Sequence, residues 1–294
     1  MEQTKLLTKL ADQPAIDAIG KPLSLAVRAA YENAGPAGAQ IKNAMHGVWL
    51  GHPLHPVFTD LPLGAWTTAL AIDACANGDR GMRRAATLAF GVGLAGAAAS
   101  AVTGLTDWSE TSSRARREGL LHGLLNIAAT ALTAVAYVER LNSSRERGRA
   151  CAWTGYAIAL GAAYLGGDLV YGHRIGVTHA AIDRPETFTD IAASTDVPEG
   201  AMHRARHDSV DVLLVRQRGC VRALAHPCSH LGGPLSQGTL KNGSVVCPWH
   251  GSEFALDDGR VLNGPATEPQ PALAVRERAH RIEVKQAEEP PSAE

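Results

Sequence analysis

The chain has 294 residues, a formal net charge of −1 at pH 7 and a sequence pI of about 6.9. A balanced charge excludes a surface basic enough to bind nucleic acid through its phosphates, and we expect no nucleic-acid partner. Five cysteines are too few and too scattered for a disulfide scaffold. The length predicts about two domains, and the mean hydropathy of −0.07 averages two unlike halves.

The first segment, residues 1–44, is predicted to be an amphipathic helical stretch broken by the Gly- and Pro-containing "NAGPAGAQ". It lacks the basic start, long apolar run and small-residue cleavage site of a secretory signal, so we expect none there. The pattern indicates no function for this segment.

Residues 45–180 are predicted to form a membrane domain. Arg-containing linkers separate four apolar stretches, each long enough as a helix to cross a hydrocarbon core of about 30 Å. The alternative is a soluble Ala-rich helical bundle, and the first stretch is the weakest because aspartates and a proline interrupt it. Small residues four apart in the last stretch favour close helix packing in lipid. The four predicted spans are 57–76, 85–106, 119–138 and 150–168.

Polar side chains concentrate at one side of this predicted domain. Four spans return the chain to the side on which it started, and every histidine outside the C-terminal half falls near that side. Ionisable groups at membrane depth are costly and often mark a site. The candidate residues for a haem, quinone or metal site are His52, His55, Asp60, Asp107, His122, Asn126, Asp168, His173 and His179.

Three chemistries fit this group. Paired histidines on facing helices are able to hold haem b axially or to bind a metal, and a His/Asp cluster is able to take protons from a quinol. The alternative is structural, because helix ends and interfacial turns need polar partners in any case. His55 and His122 are the first candidates for a ligand pair, since His122 lies within a span and His55 directly precedes one.

The stretch "GHPLHPVFTDLPLGAW" resembles the opening of an uncharacterised family of bacterial four-helix membrane proteins. "TGLTDW", "HGLLN" and "GGDLVYGHR" resemble other shared patches of that family. The resemblance covers about residues 45–180. It supports a membrane domain and implies no activity.

The C-terminal half changes to short alternating segments joined by turns such as "KNG" and "DDG", which predicts a small β-domain over residues 187–287. The tail 288–294 is predicted to be disordered. The predicted strands are 210–216, 221–225, 244–247, 253–256 and 280–285.

Two Cys/His loops interrupt this β pattern. Cys228-x-His230 is followed, after sixteen residues, by Cys247-x-x-His250. Zinc also takes two Cys and two His, but zinc fingers usually group the cysteines in one pair and the histidines in the other. One thiolate and one imidazole in each loop suit a cluster of two irons, one held by both cysteines and the other by both histidines.

"CSHLGGPL…CPWHGSEF" is similar to the Rieske [2Fe–2S] domain family, and the likeness extends from about residues 189–195 through 264–266 to the end of the predicted strands. The resemblance implies that Cys228 and Cys247 bind the buried iron and that His230 and His250 bind the exposed one. It also implies a set of residues around the cluster, namely Leu231, Gly233, Trp249, Ser252, Phe254 and Pro265.

The chain departs from quinol-oxidising Rieske proteins of respiratory complexes at three of these positions. Those proteins join the two loops by a disulfide, where this chain has Gly233 and Trp249. They also use a Ser and a Tyr to donate hydrogen bonds to sulfur; Ser252 matches the first, but Phe254 has no hydroxyl. Fewer donors stabilise the reduced cluster less, so we expect a lower potential and a ferredoxin- or oxygenase-type domain.

The sequence therefore predicts a two-domain α + β protein, a four-helix transmembrane bundle followed by an all-β Rieske domain. We expect an electron-transfer protein or oxidoreductase component of the bacterial inner membrane, multi-pass, with the Rieske domain cytoplasmic. It would pass electrons between a soluble partner and a membrane quinone or haem. The alternatives are a tethered ferredoxin-like module and a redox sensor. Expected partners are lipid, redox proteins and a second copy of the chain, and no residue is assigned as catalytic.

Overall fold

The computed structural model describes residue 9 and residues 13–77, 79–142 and 145–287. The predicted tail 288–294 and most of the first twelve residues lie outside this part. The described residues divide into two compact units. The first is helical and draws on Met1–Gly47 and Pro53–Ile175; the second is mostly strands and draws on Val48–His52 and Gly176–Glu294.

The described residues of the first unit form six α-helices, so the predicted count of four helices is not matched exactly. The four long helices cover the four apolar stretches, and two shorter amphipathic helices precede them. Asp17 at the start of the first helix accepts hydrogen bonds from Arg116 at 2.8 Å and Arg117 at 2.7 Å, which attaches it to a long helix. The helices are α1 (Asp17–Asn33), α2 (Gly35–His46), α3 (Leu54–Cys75), α4 (Arg80–Ser109), α5 (Ser113–Leu141) and α6 (Arg145–Tyr171).

Two of the long helices, α4 and α5, are long and apolar enough to cross a membrane, as judged by length and composition among the described residues. Large apolar side chains on their surfaces face outward, for example Leu88 at 70% and Ile127 at 64% exposure. Such a continuous apolar exterior is unusual for a soluble bundle. The helix α3 carries Asp60 and Asp73, which lower its apolar character.

Small residues set how closely the long helices approach. On α4, a Cβ added at Gly93 would lie 2.2 Å from the indole Nε1 of Trp66, and one at Gly96 would lie 2.6 Å from the Cβ of Leu61. Glycine at these positions therefore allows α3 and α4 to pack backbone to side chain. The helices α5 and α6 pair in the same way at Gly155, where a Cβ would lie 3.0 Å from a carbonyl oxygen of α5.

Over residues 176–287, the second unit forms ten strands in two antiparallel sheets. The six-stranded sheet has the order β1-β10-β9-β4-β3-β2, and the four-stranded sheet has the order β5-β6-β7-β8. The strands are β1 (Thr189–Ala193), β2 (Met202–His207), β3 (Val210–Gln217), β4 (Cys220–Ala225), β5 (Thr239–Lys241), β6 (Ser244–Val246), β7 (Glu253–Ala255), β8 (Val261–Asn263), β9 (Ala272–Arg278) and β10 (Arg281–Gln286).

The strand β3 contributes to cores on both faces of the larger sheet because successive side chains of a strand point to opposite sides. Val212 and Leu214 join one apolar cluster, whereas Leu213 and Val215 join the other. The second cluster also contains the side chains of both cysteines of the Cys/His loops, Cys228 and Cys247, together with Phe254. The loops are thus built on a packed core.

Candidate metal centre

The two Cys/His loops follow strands of different sheets. The first, residues 226–234, follows β4, and the second, residues 247–252, connects β6 to β7. The strands fix where each loop begins, because β4 pairs with β3 and β9, and β6 pairs with β5 and β7.

The same pair of backbone hydrogen bonds closes both loops. In the first, Cys228 N–H donates to Gly233 O at 2.9 Å, and Gly232 N–H donates to Cys228 O at 2.8 Å. In the second, Cys247 N–H donates to the carbonyl five residues on, at 2.8 Å, and Gly251 N–H donates to Cys247 O at 3.2 Å. Gly232 and Gly251 have φ values of 76° and 77°, a conformation that favours glycine. Two loops of matching turn geometry therefore present one thiol each.

The four predicted ligands converge at the ends of these loops. Cys228 and Cys247 are 2% and 3% exposed and lie within hydrogen-bonding distance of each other. The rings of His230 and His250 lie 5.0 Å apart, centroid to centroid, at an interplanar angle of 89°, and both are half-buried. The site thus has a buried pair of sulfurs and a partly exposed pair of imidazoles.

The buried thiols influence each other's ionisation. The hydrogen bond with Cys247, together with burial, raises the pKa of Cys228, whereas the same bond lowers the pKa of Cys247. Metals are ligated by thiolates, and two buried thiolates repel each other and lack solvation. A bound metal cation offsets this unfavourable energy, so it favours the ionised form of both cysteines.

The donor set fits a Rieske-type [2Fe–2S] cluster. Two sulfurs on the buried side and two imidazoles on the outer side match its division into a Cys₂ iron and a His₂ iron. The backbone leaves little free space beside the sulfurs, because a Cβ at Gly233 would lie 2.7 Å from the Sγ of Cys247. When bound, the cluster supplies one-electron chemistry; the chain holds its irons and covers its inner face.

The residues implied around the cluster surround the two loops. Leu231 is half-buried, and Trp249 is 56% exposed with its ring 6.3 Å from that of His250. Phe254 is fully buried in the apolar core beneath the sulfurs. Pro265 is buried after β8, in a cis peptide with Gly264.

Ser252 is fully buried, and its Oγ accepts a hydrogen bond from Ala266 N–H at 3.0 Å. Because the oxygen accepts this bond, the hydroxyl hydrogen remains available for donation to another acceptor. The Ser252 hydroxyl is therefore able to donate a hydrogen bond to a sulfur atom of a bound cluster.

Gln270 holds the first loop in place, a role that no sequence pattern indicates. Its side chain is 0% exposed. Its Oε1 accepts from Ser229 N–H at 2.8 Å, and its Nε2 donates to Ala225 O at 2.7 Å and Pro227 O at 2.6 Å. A lone glutamine between prolines in "EPQPAL" carries no motif, so only the fold reveals this role.

His226 and Asp211 support the start of the same loop. The backbone N–H of His226 donates to Asp211 O at 2.9 Å, and its Nε2 lies 2.9 Å from Ser236 Oγ. Burial lowers the pKa of His226, and the charge of Asp211 opposes that shift. A neutral imidazole is therefore favoured at this point.

In the helical unit, the structure brings His55 of α3 and His122 of α5 together. Their ring centroids lie 6.4 Å apart at an interplanar angle of 85°. His55 Nδ1 lies 3.0 Å from Ser100 O on α4, and His122 Nδ1 lies 2.8 Å from Ala162 O on α6. Asn126 Nδ2 lies 3.1 Å from His122 Nε2.

Other predicted polar residues of the helical unit pair with groups that the sequence did not single out. His173 Nε2 lies 3.0 Å from Oε2 of the buried Glu118. Asp107 Oδ1 lies 2.7 Å from Nδ1 of the buried His46. Asp168 is half-buried near the end of α6.

Three further candidates lie elsewhere. Asp60 is exposed on α3, without a side-chain hydrogen bond or ion pair among the described residues. His52 is exposed and belongs to the β-containing unit. His179 also belongs to that unit: its N–H donates to Ser229 O at 2.9 Å in the first Cys/His loop. His179 is thus a neighbour of that loop.

The fold and the donor set define a class of protein, a Rieske-type cluster domain joined to an apolar helical unit. Residues 187–279 match the family described as "Rieske [2Fe-2S] domain", and residues 51–179 match "Predicted membrane protein (DUF2231)". Through its C-terminal half the chain belongs to the Rieske [2Fe–2S] domain family, and through its N-terminal half it carries the DUF2231 membrane domain.

Several relatives share the Rieske half. The chain is 31% identical over 91 residues to the biphenyl dioxygenase ferredoxin subunit of Pseudomonas sp. (strain KKS102), covering 31% of this chain and 84% of that protein. It is 32% identical over 90 residues to apoptosis-inducing factor 3 of Mus musculus, again covering 31% of this chain but only 15% of that protein. The chain therefore spans only a small part of the latter's length.

Among solved structures, the ferredoxin of carbazole 1,9a-dioxygenase from Nocardioides aromaticivorans IC177 is 24% identical. The match covers 34% of this chain and 99% of that one, with a TM-score of 0.33. The relationship therefore rests on the sequence similarity. The match to the Rieske family implies a [2Fe–2S] cluster, a group that supports electron transfer.

Proposed function

We propose that the chain is a membrane-anchored electron-transfer protein of the bacterial inner membrane. Cys228 and Cys247 bind one iron of the cluster, and His230 and His250 bind the other. The cluster exchanges electrons with a soluble redox partner and with a quinone or haem in the helical unit, close to His55 and His122. The Rieske domain lies on the cytoplasmic side.

The observation that carries the proposal is the convergence of two buried thiols and two half-buried imidazoles from two loops of the same turn geometry. The imidazole pair forms the partly exposed side of the site, beside the exposed indole of Trp249. Electrons then enter and leave through His230 and His250, because the cysteine side is covered by the core. An aromatic surface beside the imidazoles suits contact with a partner protein.

The membrane part of the proposal rests on two features of the helical unit. Its long helices present large apolar side chains outward. Its polar groups include the pair His55 and His122, whose rings lie 6.4 Å apart and whose Nδ1 atoms lie against carbonyl oxygens of α4 and α6. An apolar outer surface of this kind is stable in contact with lipid. Paired histidines in the interior of such a helical unit are able to bind a redox group.

A second candidate function is that the helices only tether a ferredoxin-like module for a partner oxygenase or reductase. The relatives favour it, because several are named as ferredoxin components of dioxygenase systems. In that case the histidines of the helical unit have a structural role, and the cluster reacts with soluble partners alone.

The experiment that separates the two uses isolated membranes containing the full chain. Reduction of the cluster by an added hydroquinone, or its oxidation by an added quinone, is followed by electron paramagnetic resonance. The proposal expects quinone-linked redox of the cluster that His55→Ala and His122→Ala each abolish, with the cluster signal retained. His52→Ala is the matched control and leaves the rate unchanged. If the rate of quinone-linked oxidation or reduction of the cluster is the same in all three variants, the result favours a ferredoxin-like module that the helices only tether to the membrane.

A further inference from the structure

The helical unit repeats one contact in its two hairpins. In the first, His55 on α3 lies against α4, where a Cβ added at Gly104 would be 2.6 Å from the imidazole Cε1. In the second, His122 on α5 lies against α6, where a Cβ added at Gly166 would be 3.1 Å from the imidazole Cε1. In each hairpin, one imidazole therefore lies close against a glycine of the second helix.

The anchoring of the two rings repeats as well. His55 Nδ1 is 3.0 Å from Ser100 O, and His122 Nδ1 is 2.8 Å from Ala162 O. In both hairpins the accepting carbonyl lies four residues before the glycine, one helical turn away. A carbonyl oxygen only accepts, so each Nδ1 carries the hydrogen and each Nε2 keeps its lone pair.

This tautomer is the one found in metal-ligating histidines, which nearly always donate the other ring N–H to a carbonyl or carboxylate. The ring centroids are 6.4 Å apart. Two imidazoles that share one metal through Nε2 bonds of about 2.0 Å have their centroids about 6 Å apart. The spacing therefore suits one metal between the two histidines.

The number of protein donors selects the kind of metal centre. The contacts between α3 and α5 bring together two metal-ligating side chains, His55 and His122, with the amide of Asn126 beside them. Zinc takes three or four protein ligands, so two imidazoles are too few for it. The iron of a porphyrin brings four nitrogens of its own and needs two axial ligands.

We propose that His55 and His122 are the two axial ligands of a haem held between the hairpins of the helical unit. This deepens the proposed function and rests on it for the haem's role, which is to exchange electrons with the Rieske cluster. The exchange moves one electron: the reduced cluster loses it, and the haem iron goes from ferric to ferrous. No bond forms or breaks and no proton leaves the imidazoles, whose N–H groups stay on the carbonyls.

Asn126 marks the position that iron would take at His122. Its Nδ2 lies 3.1 Å from His122 Nε2 and 3.0 Å from His122 O, so it donates to both. Iron at Nε2 replaces the first of these bonds, and the second remains to hold the amide one turn along α5.

The test uses the full chain, purified in detergent from cells supplied with a haem precursor. Haem per chain is measured by the pyridine haemochromogen assay, and ligation by the visible spectrum. We expect about one haem per chain with the spectrum of two imidazole ligands. His55→Ala and His122→Ala lose the haem, whereas His52→Ala keeps it. Gly104→Ala, which pushes on the His55 ring, alters the spectrum or lowers the haem content.

A conservative variant guards against misfolding. His55→Met keeps the haem but shifts its spectrum and midpoint, since methionine is also an axial ligand. Wild type without haem, or with full haem in both alanine variants, would overturn the assignment. The Rieske signal and quinone-linked reduction of the cluster, measured in the same samples, report separately on the proposed function. If the Rieske signal and the quinone-linked reduction persist in protein without haem, only the assignment of His55 and His122 as haem ligands is contradicted. If the Rieske signal is missing, the proposed function is contradicted.

Discussion

At the scale of single residues, the site depends on groups that lie outside the Cys/His motif. Gln270 makes three hydrogen bonds around the first loop and is fully buried. A buried amide of this kind fixes the loop because each of its partners would otherwise be unsatisfied. The motif supplies the ligands, and this side chain supplies their placement.

Gln270→Leu tests that role. The change leaves Ser229 N–H and two loop carbonyls without their partner, so we expect a loss of about 3 kcal/mol in stability and faster loss of the cluster. Urea unfolding followed by the visible absorbance of the cluster measures both. Gln286→Leu, at an exposed position of β10, is the control. Equal midpoints for Gln270→Leu and wild type would contradict the role.

A second residue-scale prediction concerns acid. Hydrogen bonds from Arg216 and Ser194 hold the pKa of Glu277 at about 2, below its ordinary value near 4.5. A lowered folded-state pKa gives stability that is present above pH 4.5 and is lost as the pH falls toward 2. Glu277 is 34% exposed, so water screens the pair and the contribution stays below about 1 kcal/mol.

Glu277→Gln removes this contribution. The variant is expected to be slightly less stable than wild type at pH 7, and the difference is expected to close between pH 4.5 and pH 2. Urea midpoints measured across that range check it, with Glu186→Gln at an exposed loop position as the control. A gap that widens on acidification would reverse the sign and refute the assignment.

At the scale of elements, a half-buried ion pair joins α3 to α5. Arg140 Nη2 lies 2.8 Å from Asp73 Oδ1, and the two side chains are 11% and 12% exposed. The guanidinium also lies 5.0 Å from the ring centroid of Phe90 on α4. These contacts tie three helices together at the end that carries Asp73.

Asp73→Ala leaves a half-buried guanidinium without its carboxylate, and we expect a loss of about 2 kcal/mol in the stability of the helical unit. Thermal unfolding in detergent measures it. Asp60→Ala, on the same helix at an exposed position, should be near neutral. Replacing both partners, Asp73→Leu with Arg140→Leu, should recover much of the loss. A double variant less stable than Asp73→Ala would contradict this account of the ion pair.

Some elements were predictable from sequence and others were not. The strands β3 and β4 follow from apolar runs, and the two loops from their Cys/His spacing. The strand β9 was not predicted because "ALAVRER" alternates between apolar and polar residues only at its start. The segment becomes a strand because it pairs with β4 and β10. The short strands β5 and β8 have three residues each, too few for a pattern.

The same limit applies to the site. The four cluster ligands and the pair His55 and His122 follow from residue type and position. The supporting residues do not, for example Gln270 beside the first Cys/His loop and Glu118 beside His173, because a single buried polar residue has no periodicity to reveal it. Likewise, the packing of helix α1 against α5 could not be predicted from sequence. It depends on ion pairs between Asp17 and two arginines about a hundred residues away.

At the scale of the whole molecule, the proposal requires a defined orientation in the membrane. With four membrane-crossing helices, the chain before α3 and after α6 is on one side, and the α3–α4 turn is on the other. Two exposed cysteines report on these sides: Cys75 at the end of α3 and Cys220 at the start of β4.

A membrane-impermeant maleimide checks the orientation. In a Cys75→Ser background, Cys220 is expected to react in inverted membrane vesicles and not in intact spheroplasts. In a Cys220→Ser background, Cys75 is expected to react the other way round. Reaction of both cysteines from the same side would contradict a four-crossing topology, and a complete reversal would move the Rieske domain to the periplasmic side.

The central claim is that this chain carries a Rieske cluster in a membrane. A potentiometric titration by electron paramagnetic resonance, on isolated membranes at several pH values, tests it most directly. We predict a Rieske-type signal that Cys228→Ser and His250→Ala abolish, with a midpoint toward the lower part of the range of about −150 to +300 mV, since Phe254 lacks a hydroxyl. Membranes without that signal, in which the purified chain holds zinc instead of iron, would contradict the account.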